Sequence, residues 1–385
     1  RSTKAQQMDV AVTGIGLRCC LGTLTESWQR LLSGVSGSQI RQIFGELPSY
    51  PLGIIGETPS SLSQLTQLLV ADALADAELE SPLPDCGVVI GSSRGCQGIW
   101  EQLAKQWYQE KSVLVSEIGE ILPQQAAITA ARQIGSCGPA LSPMAACATG
   151  IWAIAQGAEL IRQGRCSRVL AGAVETPITP LVLAGFQQMG ALATTGCYPF
   201  DRRRQGLVLA EGGAVFLLER TDLALQRRAT IYGLVLGAGF TCDGYHLSAP
   251  AADNHSAIAA VKRCLERSHL TPSQVDYIHP HGTGTQLNDR REARLIEDLF
   301  PSEVAVSSTK GATGHTLGAS GAIGSAFCLM ALKSQQLPPC VGLEDPEFAL
   351  NFISQARQAQ VKRLLCFSFG FGGQNAALCW GIAPN

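Results

Sequence analysis

Four side chains that suit thioester chemistry lie in stretches rich in small residues: Cys147, His281, Lys310 and His315. The chain has only 6 histidines, and two of them lie in glycine-rich loops of this kind. A cysteine with imidazoles nearby suits acyl transfer, in which the sulfur attacks a thioester and holds the acyl group covalently. Neutral imidazoles can also stabilise an enolate or an oxyanion. The pattern therefore favours an acyl-transferring enzyme.

Cys147 is placed just before, or in the first turn of, a predicted helix. Ile151, Ile154 and Ile161 recur at helical spacing, and Gly164 is a usual helix stop. Unpaired backbone N–H groups and the positive end of the helix dipole at such a site favour a thiolate. The alternative is a small buried cysteine that packs like an alanine. The presence of His281, Lys310 and His315 in similar loops favours a reactive thiol over this alternative.

A glycine-rich turn surrounds Phe371 near the end of the chain. Glycine has no Cβ, so the backbone of such a turn can approach a ligand closely. Its N–H group is therefore a candidate donor to an oxyanion.

Strands and helices alternate along the chain, which predicts an α/β fold. Near-continuous apolar runs at residues 10–16, 87–91, 168–173, 231–238 and 275–279 indicate buried strands. Residues 207–218 suggest a hairpin-like pair. Two units, at residues 142–164 and 307–334, each lead from a strand through a small-residue loop into an Ala/Gly-rich helix. We therefore expect two similar halves around one continuous core, with ligands at the carboxyl ends of the strands.

The composition narrows the function classes. Charged residues are 16% of the 385 residues and hydrophobic residues 46%, which predicts a large buried fraction and a sizeable dimer interface. A net charge of −2 gives no reason to expect nucleic acid or an anionic membrane as partner. The 14 cysteines include no C-x-x-C, so neither a disulfide scaffold nor a structural zinc site is indicated. With no signal-peptide pattern and no membrane span, we expect a cytoplasmic protein.

Four motifs in order give the chain a resemblance to a known family: S-P-M-A-A-C-A-T-G, H-G-T-G-T, S-S-T-K-G-A-T-G-H-T-L-G-A-S-G and S-F-G-F-G-G-Q-N. From Val10 to Trp380 it resembles the β-ketoacyl-(acyl carrier protein) synthases of the thiolase-fold superfamily. The resemblance implies two similar βαβ halves, at residues 8–225 and 226–385, in a layered αβαβα core. It implies a decarboxylative Claisen condensation in fatty-acid or polyketide elongation, with an acyl carrier protein as partner. It implies no cofactor and no metal, and a homodimer or a heterodimer with a homologous subunit.

The resemblance also implies a role for each chemical residue. Cys147 matches the nucleophile, and His281 and His315 match the pair that binds the malonyl thioester and stabilises its enolate. Lys310 matches the lysine that sets the electrostatics around the second histidine. Phe371 matches the gating aromatic, whose N–H forms the oxyanion hole together with that of Cys147 and which borders the substrate.

Further positions match with less specific roles. Thr283 and Thr285 match hydroxyls that hold the pantetheine arm. Asp289 and Glu292 match acidic residues with a structural role. The basic run contains Arg202, Arg203 and Arg204, which are either a solvated turn or a docking site for the acidic carrier protein, with Arg204 the best-matched position.

Two departures from the family pattern lie near the predicted site. Gly324 stands nine residues after the second histidine, where many members have a glutamate near the lysine. His279 stands where an asparagine is common. The segment between residues 38 and 90 is also shorter than in typical fatty-acid elongation enzymes. These differences favour a specialised paralogue.

Two other functions stay open at this point. A non-condensing subunit of the chain-length-factor type would shape a heterodimer, although such subunits commonly lose the nucleophile or a histidine. A thiolase would use a second cysteine as base, whereas two histidines and Lys310 favour the decarboxylating branch.

Overall fold

A twelve-stranded sheet connects the two ends of the chain in the computed structural model, which describes residues 9–112 and 119–383. In chain order the strands are β1 (Val10–Cys19), β2 (Gly22–Thr23), β3 (Gln39–Arg41), β4 (Tyr50–Gly53), β5 (Gly87–Gly91), β6 (Ala140–Leu141), β7 (Arg168–Glu175), β8 (Leu209–Ala210), β9 (Gly212–Arg220), β10 (Gly233–Cys242), β11 (Tyr277–His279), β12 (Ala305–Val306), β13 (Gln336–Leu337), β14 (Asn351–Phe352), β15 (Arg357–Gln358), β16 (Arg363–Gly370) and β17 (Gln374–Gly381). The helices are α1 (Leu24–Leu32), α2 (Leu62–Asp76), α3 (Gln97–Glu110), α4 (Gln125–Ile134), α5 (Thr149–Arg162), α6 (Pro180–Gln188), α7 (Thr221–Gln226), α8 (His255–Arg267), α9 (Gln286–Leu299), α10 (Lys310–Thr313) and α11 (Ser320–Ser334). The outermost residues of the two predicted halves, residue 8 and residues 384–385, lie outside the described ranges, as does most of the N-terminal segment without a signal-peptide pattern.

The sheet consists of two halves with the same topology. The first half has the order β6-β5-β7-β9-β1, and the second has β12-β11-β16-β17-β10 with β14 added at its edge. In each half the first three strands are parallel and the last two pairings are antiparallel. The halves join where β1 pairs with β10 over Val10–Val12. The two similar α/β halves expected from the sequence are therefore present.

Helices cover both faces of each half and meet at the centre. α5 packs on β5 and β7, and α11 packs on β16. These two helices touch closely at Gly150, where a Cβ would lie 2.6 Å from the backbone nitrogen of Ala322. α2 packs on β1 and β9 from outside, and α8 packs on β10 and β17. The resulting order is the layered αβαβα core.

Burial on both sides explains the apolar character of the strands and central helices. Every residue of β7 from Val169 onward is buried, as expected for a strand covered on both faces. The segment Leu317–Ser334 is apolar and long enough to cross a membrane, but 83% of it is buried within the fold. It is therefore a core helix.

The prediction of a hairpin-like pair of strands at residues 207–218 is wrong. β8 pairs in parallel with β4 in a separate three-stranded sheet, whereas β9 pairs with β1 and β7 in the large sheet. Two adjacent apolar runs look like a hairpin, but the long strand gains more pairing between two central neighbours than with a short partner.

Candidate active site

Cys147 lies immediately before α5, in the position expected from the sequence. The N-cap of α5 is Ala148, and the residue before the cysteine, Ala146, has a left-handed φ of 47°. This conformation is costly for a residue with a side chain and turns the backbone sharply at the sulfur. Cys147 is only 9% exposed.

Burial dominates the acidity of this thiol. It raises the pKa of Cys147 to about 11, although the charge of Lys310 and a hydrogen bond from the backbone N–H of Phe371 act in the opposite direction. The expectation of a stabilised thiolate at a helix start is therefore not met in the free protein. The free-energy cost of removing the thiolate from water exceeds the stabilisation that the helix end and Lys310 provide.

His315 faces the sulfur, with Nε2 at 3.4 Å from Sγ of Cys147. Its other nitrogen, Nδ1, accepts a hydrogen bond from the backbone N–H of Leu317 at 3.2 Å. Because Nδ1 is an acceptor, the proton of a neutral ring is on Nε2. Burial and the charge of Lys310 hold the pKa of His315 well below its usual range, so the ring is neutral. His315 therefore presents an Nε2–H donor to the sulfur side of the site.

His281 follows β11 and completes the cluster. Its ring stands edge-on to that of His315, with 5.2 Å between the ring centroids. Nδ1 of His281 is buried and has no hydrogen-bond partner among the residues that the structure describes, so Nε2 is the nitrogen available to a substrate. Burial, followed by the charge of Lys310, holds the pKa of His281 well below its usual range. Both histidines are therefore neutral.

Lys310 and Glu292 fix the loop that carries His281. The Nζ of Lys310 donates to the carbonyl oxygen of His281. The carboxylate of Glu292 accepts from the backbone N–H groups of His281 and Gly282, in line with its expected structural role. Lys310 is 3% exposed, and burial lowers its pKa. The lysine thus acts on the histidine loop through a backbone carbonyl.

The three reactive side chains are close enough to share one reacting group. Cys147, His281 and His315 each offer one atom, and these atoms lie within 4.8 Å of one another. A thiolate with two imidazoles is also a donor set that fits Zn²⁺. A metal bound there would occupy the sulfur that acyl transfer needs. The expectation of no metal and no cofactor stays a prediction.

Phe371 borders the cavity above the cysteine. The neighbouring Gly370 lies so close that a Cβ on it would be 2.8 Å from the backbone nitrogen of Cys147. The turn thus lies against the backbone nitrogen of Cys147, and an oxyanion hole formed by the N–H groups of Cys147 and Phe371 stays a prediction. The Phe371 side chain is 37% exposed, and its ring lies 6.1 Å from that of Phe186.

The cavity over these groups has a volume of about 580 Å³. Thr283 and Thr285 line it, and their hydroxyls are hydrogen-bonded to each other at 2.9 Å. The cavity is therefore bordered by all the predicted catalytic residues except Lys310. Lys310 does not line the cavity and contacts the loop that carries His281.

Glu175 is a buried residue of the site that the sequence patterns did not indicate. Its carboxylate accepts hydrogen bonds from the Ser92 hydroxyl at 2.7 Å, from the backbone N–H of Arg94 at 2.8 Å and from that of Gly318 at 2.8 Å. It thereby ties the loop after β5 to the loop after His315. The one available signal was its position at the carboxyl end of a buried strand.

The comparisons with known proteins agree with this arrangement. The beta-ketoacyl synthase N-terminal domain matches residues 59–224, and the C-terminal domain of the same family matches residues 232–344. A 3-oxoacyl-[acyl-carrier-protein] synthase 2 of Synechocystis sp. is 33% identical over 96% of this chain and 97% of its own length. The chain belongs to the β-ketoacyl synthase family. A synthase of the same name from Staphylococcus aureus is 30% identical over 97% of this chain and 98% of its own.

Solved ketosynthase structures confirm the thiolase-like fold of this β-ketoacyl synthase. A type II polyketide ketosynthase in complex with its acyl carrier protein (AntDE:AntF) superposes with a TM-score of 0.93 at 26% identity, over 98% of this chain and 100% of that chain. The ketosynthase ApeO in complex with its chain length factor ApeC, from Xenorhabdus doucetiae, gives a TM-score of 0.84 at 26% identity over 100% of both chains. The chain is therefore a condensing ketosynthase by family and by fold.

The basic run of this synthase is only partly available to a partner. Arg204 is 1% exposed and is paired with Glu347, and its guanidinium also donates to backbone carbonyls at the start of α9. The prediction that Arg204 is the best docking position is therefore wrong, because a buried guanidinium cannot reach a carrier protein. Arg203 is paired with Asp201 and is 45% exposed at its side chain.

Arg202 is the most accessible member of the run. Its side chain is 60% exposed and faces Asp345 at 3.5 Å, a separation typical of a weak surface pair. Docking through Arg202 and Arg203 stays a prediction.

The two departures from the family pattern are one structural feature. A Cβ on Gly324 would lie 2.6 Å from Cε1 and 2.8 Å from Nδ1 of His279. The imidazole of His279 therefore fills the space into which a longer side chain at position 324 would extend. Its Nε2 is hydrogen-bonded to Oγ1 of Thr309 at 2.8 Å, next to Lys310 in the chain.

Proposed function

We propose that this synthase is an acyltransferase of the 3-oxoacyl-(acyl carrier protein) synthase type. It condenses an acyl group held on Cys147 with a malonyl group on an acyl carrier protein, in fatty-acid or polyketide chain elongation. The observation that carries the proposal is the 3.4 Å approach of His315 Nε2 to the Cys147 sulfur, with His281 edge-on beside it. The names of the curated relatives support it.

In the first half-reaction the sulfur of Cys147 attacks the carbonyl carbon of the acyl thioester. The thiol loses its proton, the new C–S bond forms, and the carrier's pantetheine thiol leaves with a proton. Charge on the carbonyl oxygen is stabilised by the backbone N–H groups of Cys147 and Phe371. Burial disfavours the thiolate, and the Nε2–H of His315, 3.4 Å from the sulfur, is placed to stabilise it as its proton departs.

In the second half-reaction the malonyl thioester binds with its carbonyl oxygen towards the two imidazoles. The bond to the carboxylate breaks, carbon dioxide leaves, and its electron pair forms an enolate that neutral Nε2–H groups stabilise. The enolate carbon then attacks the acyl group on Cys147, and the sulfur leaves. Lys310 keeps His281 in place through its carbonyl oxygen.

The arm of the carrier reaches the site along the cavity. Thr283 and Thr285 are the hydroxyls proposed to hold it, and Phe371 borders its thioester end. Arg202 and Arg203 are the proposed docking residues for the acidic carrier protein. We also propose a homodimer, or a heterodimer with a homologous subunit, and a cytoplasmic enzyme without a metal or diffusible cofactor, without nucleic acid and without a membrane partner.

The test is acylation and elongation by purified protein. Cys147→Ala should lose both covalent acylation, read by intact-protein mass spectrometry, and release of carbon dioxide coupled to β-ketoacyl product. Cys137→Ala is the matched control, because Cys137 is exposed and does not line the cavity. Normal elongation by Cys147→Ala would refute the proposal.

The second candidate is a chain-length-factor-like subunit. Solved structures of ketosynthase and chain length factor pairs superpose on this chain, which favours testing it. The presence of the cysteine with both histidines argues for the condensing role instead. A chain that is inactive alone, and whose Cys147→Ala variant still supports a homologous partner fully, would be the non-condensing subunit. Carbon dioxide release from malonyl-carrier would separate the condensing role from a thiolase.

A further inference from the structure

One face of α9 forms part of the cavity wall. Leu287 and Arg291 both line the cavity, and they are four residues apart, so they lie one above the other on the same face of the helix. Leu287 is 55% exposed, which places this face at the solvent side of the cavity. Arg291 is one turn further in.

The guanidinium of Arg291 has unused hydrogen-bond donors. Its Nε and Nη2 atoms are buried and have no hydrogen-bond partner within residues 9–112 and 119–383. A buried N–H group of a charged side chain without a partner is costly, so such groups are normally paired. Burial lowers the pKa of Arg291, but arginine stays charged in proteins.

The nearest carboxylates do not satisfy these donors. Asp243, Asp253 and Glu292 act on Arg291 only through their charge. The two oxygens of Asp243 already accept from Nδ2 of Asn375 at 2.7 Å and from the backbone N–H of Ala251 at 3.0 Å. These two donors of Arg291 are therefore unsatisfied within the described residues, and the residue itself lines the cavity.

We propose that Arg291 binds the anionic group of the incoming thioester, with the phosphate of the phosphopantetheine arm as the group best placed to meet it. The inference rests on the proposed function. Thr283 and Thr285 line the same cavity, and in the chain they lie between His281 and the first turn of α9. An arm whose thioester lies at Cys147 and which passes these hydroxyls carries its phosphate to the face of α9 that Arg291 shares with Leu287. A planar guanidinium binds phosphate and carboxylate through two parallel hydrogen bonds.

The experiment compares small thioesters with and without the phosphate, which removes any effect of carrier docking. Acylation of Cys147 by hexanoyl-phosphopantetheine and by hexanoyl-pantetheine is measured for wild type and Arg291→Met. We expect kcat/KM with the phosphorylated substrate to fall about tenfold to a hundredfold, as for a lost charge-assisted hydrogen bond, and to stay unchanged with the other. Arg294→Met is the matched control, because Arg294 is on the same helix and its side chain is 77% exposed.

A second pair of substrates identifies the anion. If Arg291 binds the extender's carboxylate, decarboxylation of malonyl-pantetheine falls in Arg291→Met while both hexanoyl substrates react normally, which supports the inference with the carboxylate as ligand. Equal losses with all substrates, or no loss with any, would overturn it. Arg291→Lys should recover part of the preference, since it restores the charge without the fork.

Direct binding keeps the inference separate from the proposed function. Calorimetry of phosphopantetheine and pantetheine with wild type needs no turnover, and we expect the phosphate to increase affinity in wild type but not in Arg291→Met. A wild-type protein that is never acylated would refute the proposed function, whereas equal binding of the two compounds would refute only the assignment of the phosphate as the ligand of Arg291.

Discussion

Gly324→Ala tests whether His279 occupies the space beside the central helix α11. The added Cβ would lie 2.6 Å from Cε1 of His279, closer than real Cβ contacts, and 3.1 Å from Sγ of Cys366, which is tighter than most such contacts. His279 is 2% exposed and Cys366 is fully buried. The imidazole cannot turn away easily, because its Nε2 is hydrogen-bonded to Thr309 at 2.8 Å.

Three effects set the expected change in the free energy of unfolding. Overpacking of a core costs about 1–3 kcal/mol. Loss of the hydrogen bond between His279 and Thr309 costs about 1 kcal/mol more. Replacing glycine by alanine inside a helix stabilises the helix by about 0.5–1 kcal/mol, which offsets part of this loss. We therefore expect Gly324→Ala to destabilise the protein by about 1–3 kcal/mol.

The measurement is urea-induced unfolding at a fixed protein concentration, followed by fluorescence and circular dichroism. Gly185→Ala is the matched control: it also lies inside a helix, and no heavy atom lies within 4 Å of the added Cβ. It should be neutral or stabilising by up to about 1 kcal/mol. The double variant His279→Ala/Gly324→Ala should be more stable than the sum of its single changes predicts, because the clashing ring is gone. A Gly324→Ala protein as stable as wild type, or strict additivity in the double variant, would refute the reasoning.

Three further predictions concern charge and acidity. Alkylation of Cys147 by iodoacetamide should accelerate about tenfold per pH unit from pH 7 to pH 9, because only the thiolate reacts and the pKa of the thiol is about 11. The rate is measured by peptide mass spectrometry, and a plateau below pH 8 would contradict the prediction. Lys310→Met should slow condensation about tenfold to a hundredfold while Cys147 is still acylated, because the lysine holds the loop that carries His281. Rapid-quench kinetics measure the two steps separately, and an equal loss of rate in both would argue against this role. Arg204→Met should cost about 3–5 kcal/mol in urea unfolding, because the buried carboxylate of Asp289 loses the neighbouring guanidinium and Glu347 loses its partner. Unchanged stability would show that these pairs are dispensable.

The chemical residues could be named from the sequence because their loops are local patterns. Small residues around Cys147 and glycine-rich turns around His281, His315 and Phe371 are visible in a few letters each, and the helical spacing after residue 151 is a property of one segment. The resemblance to a family added their roles. The alternation of apolar runs with helices was enough for the fold class, because strands buried on both faces must be apolar throughout.

What the sequence left open depends on residues far apart in the chain. Cys147 and His315 are separated by 168 positions, and only the pairing of the strands brings them to 3.4 Å. Burial by these distant elements raises the pKa of the thiol, against the local expectation from the helix end. The same applies to Arg204. Its place in a run of arginines indicates a surface residue, but packing by other parts of the chain buries it.

The sequence by itself determined which side chains can react and which secondary structure carries each of them, since both follow from local composition and period. The tertiary structure alone decided which groups are desolvated, which nitrogen of His315 holds its proton, and that His279 fills the space beside Gly324. Desolvation and steric fit depend on the sum of all neighbours within a few ångströms, and most of those neighbours come from other parts of the chain.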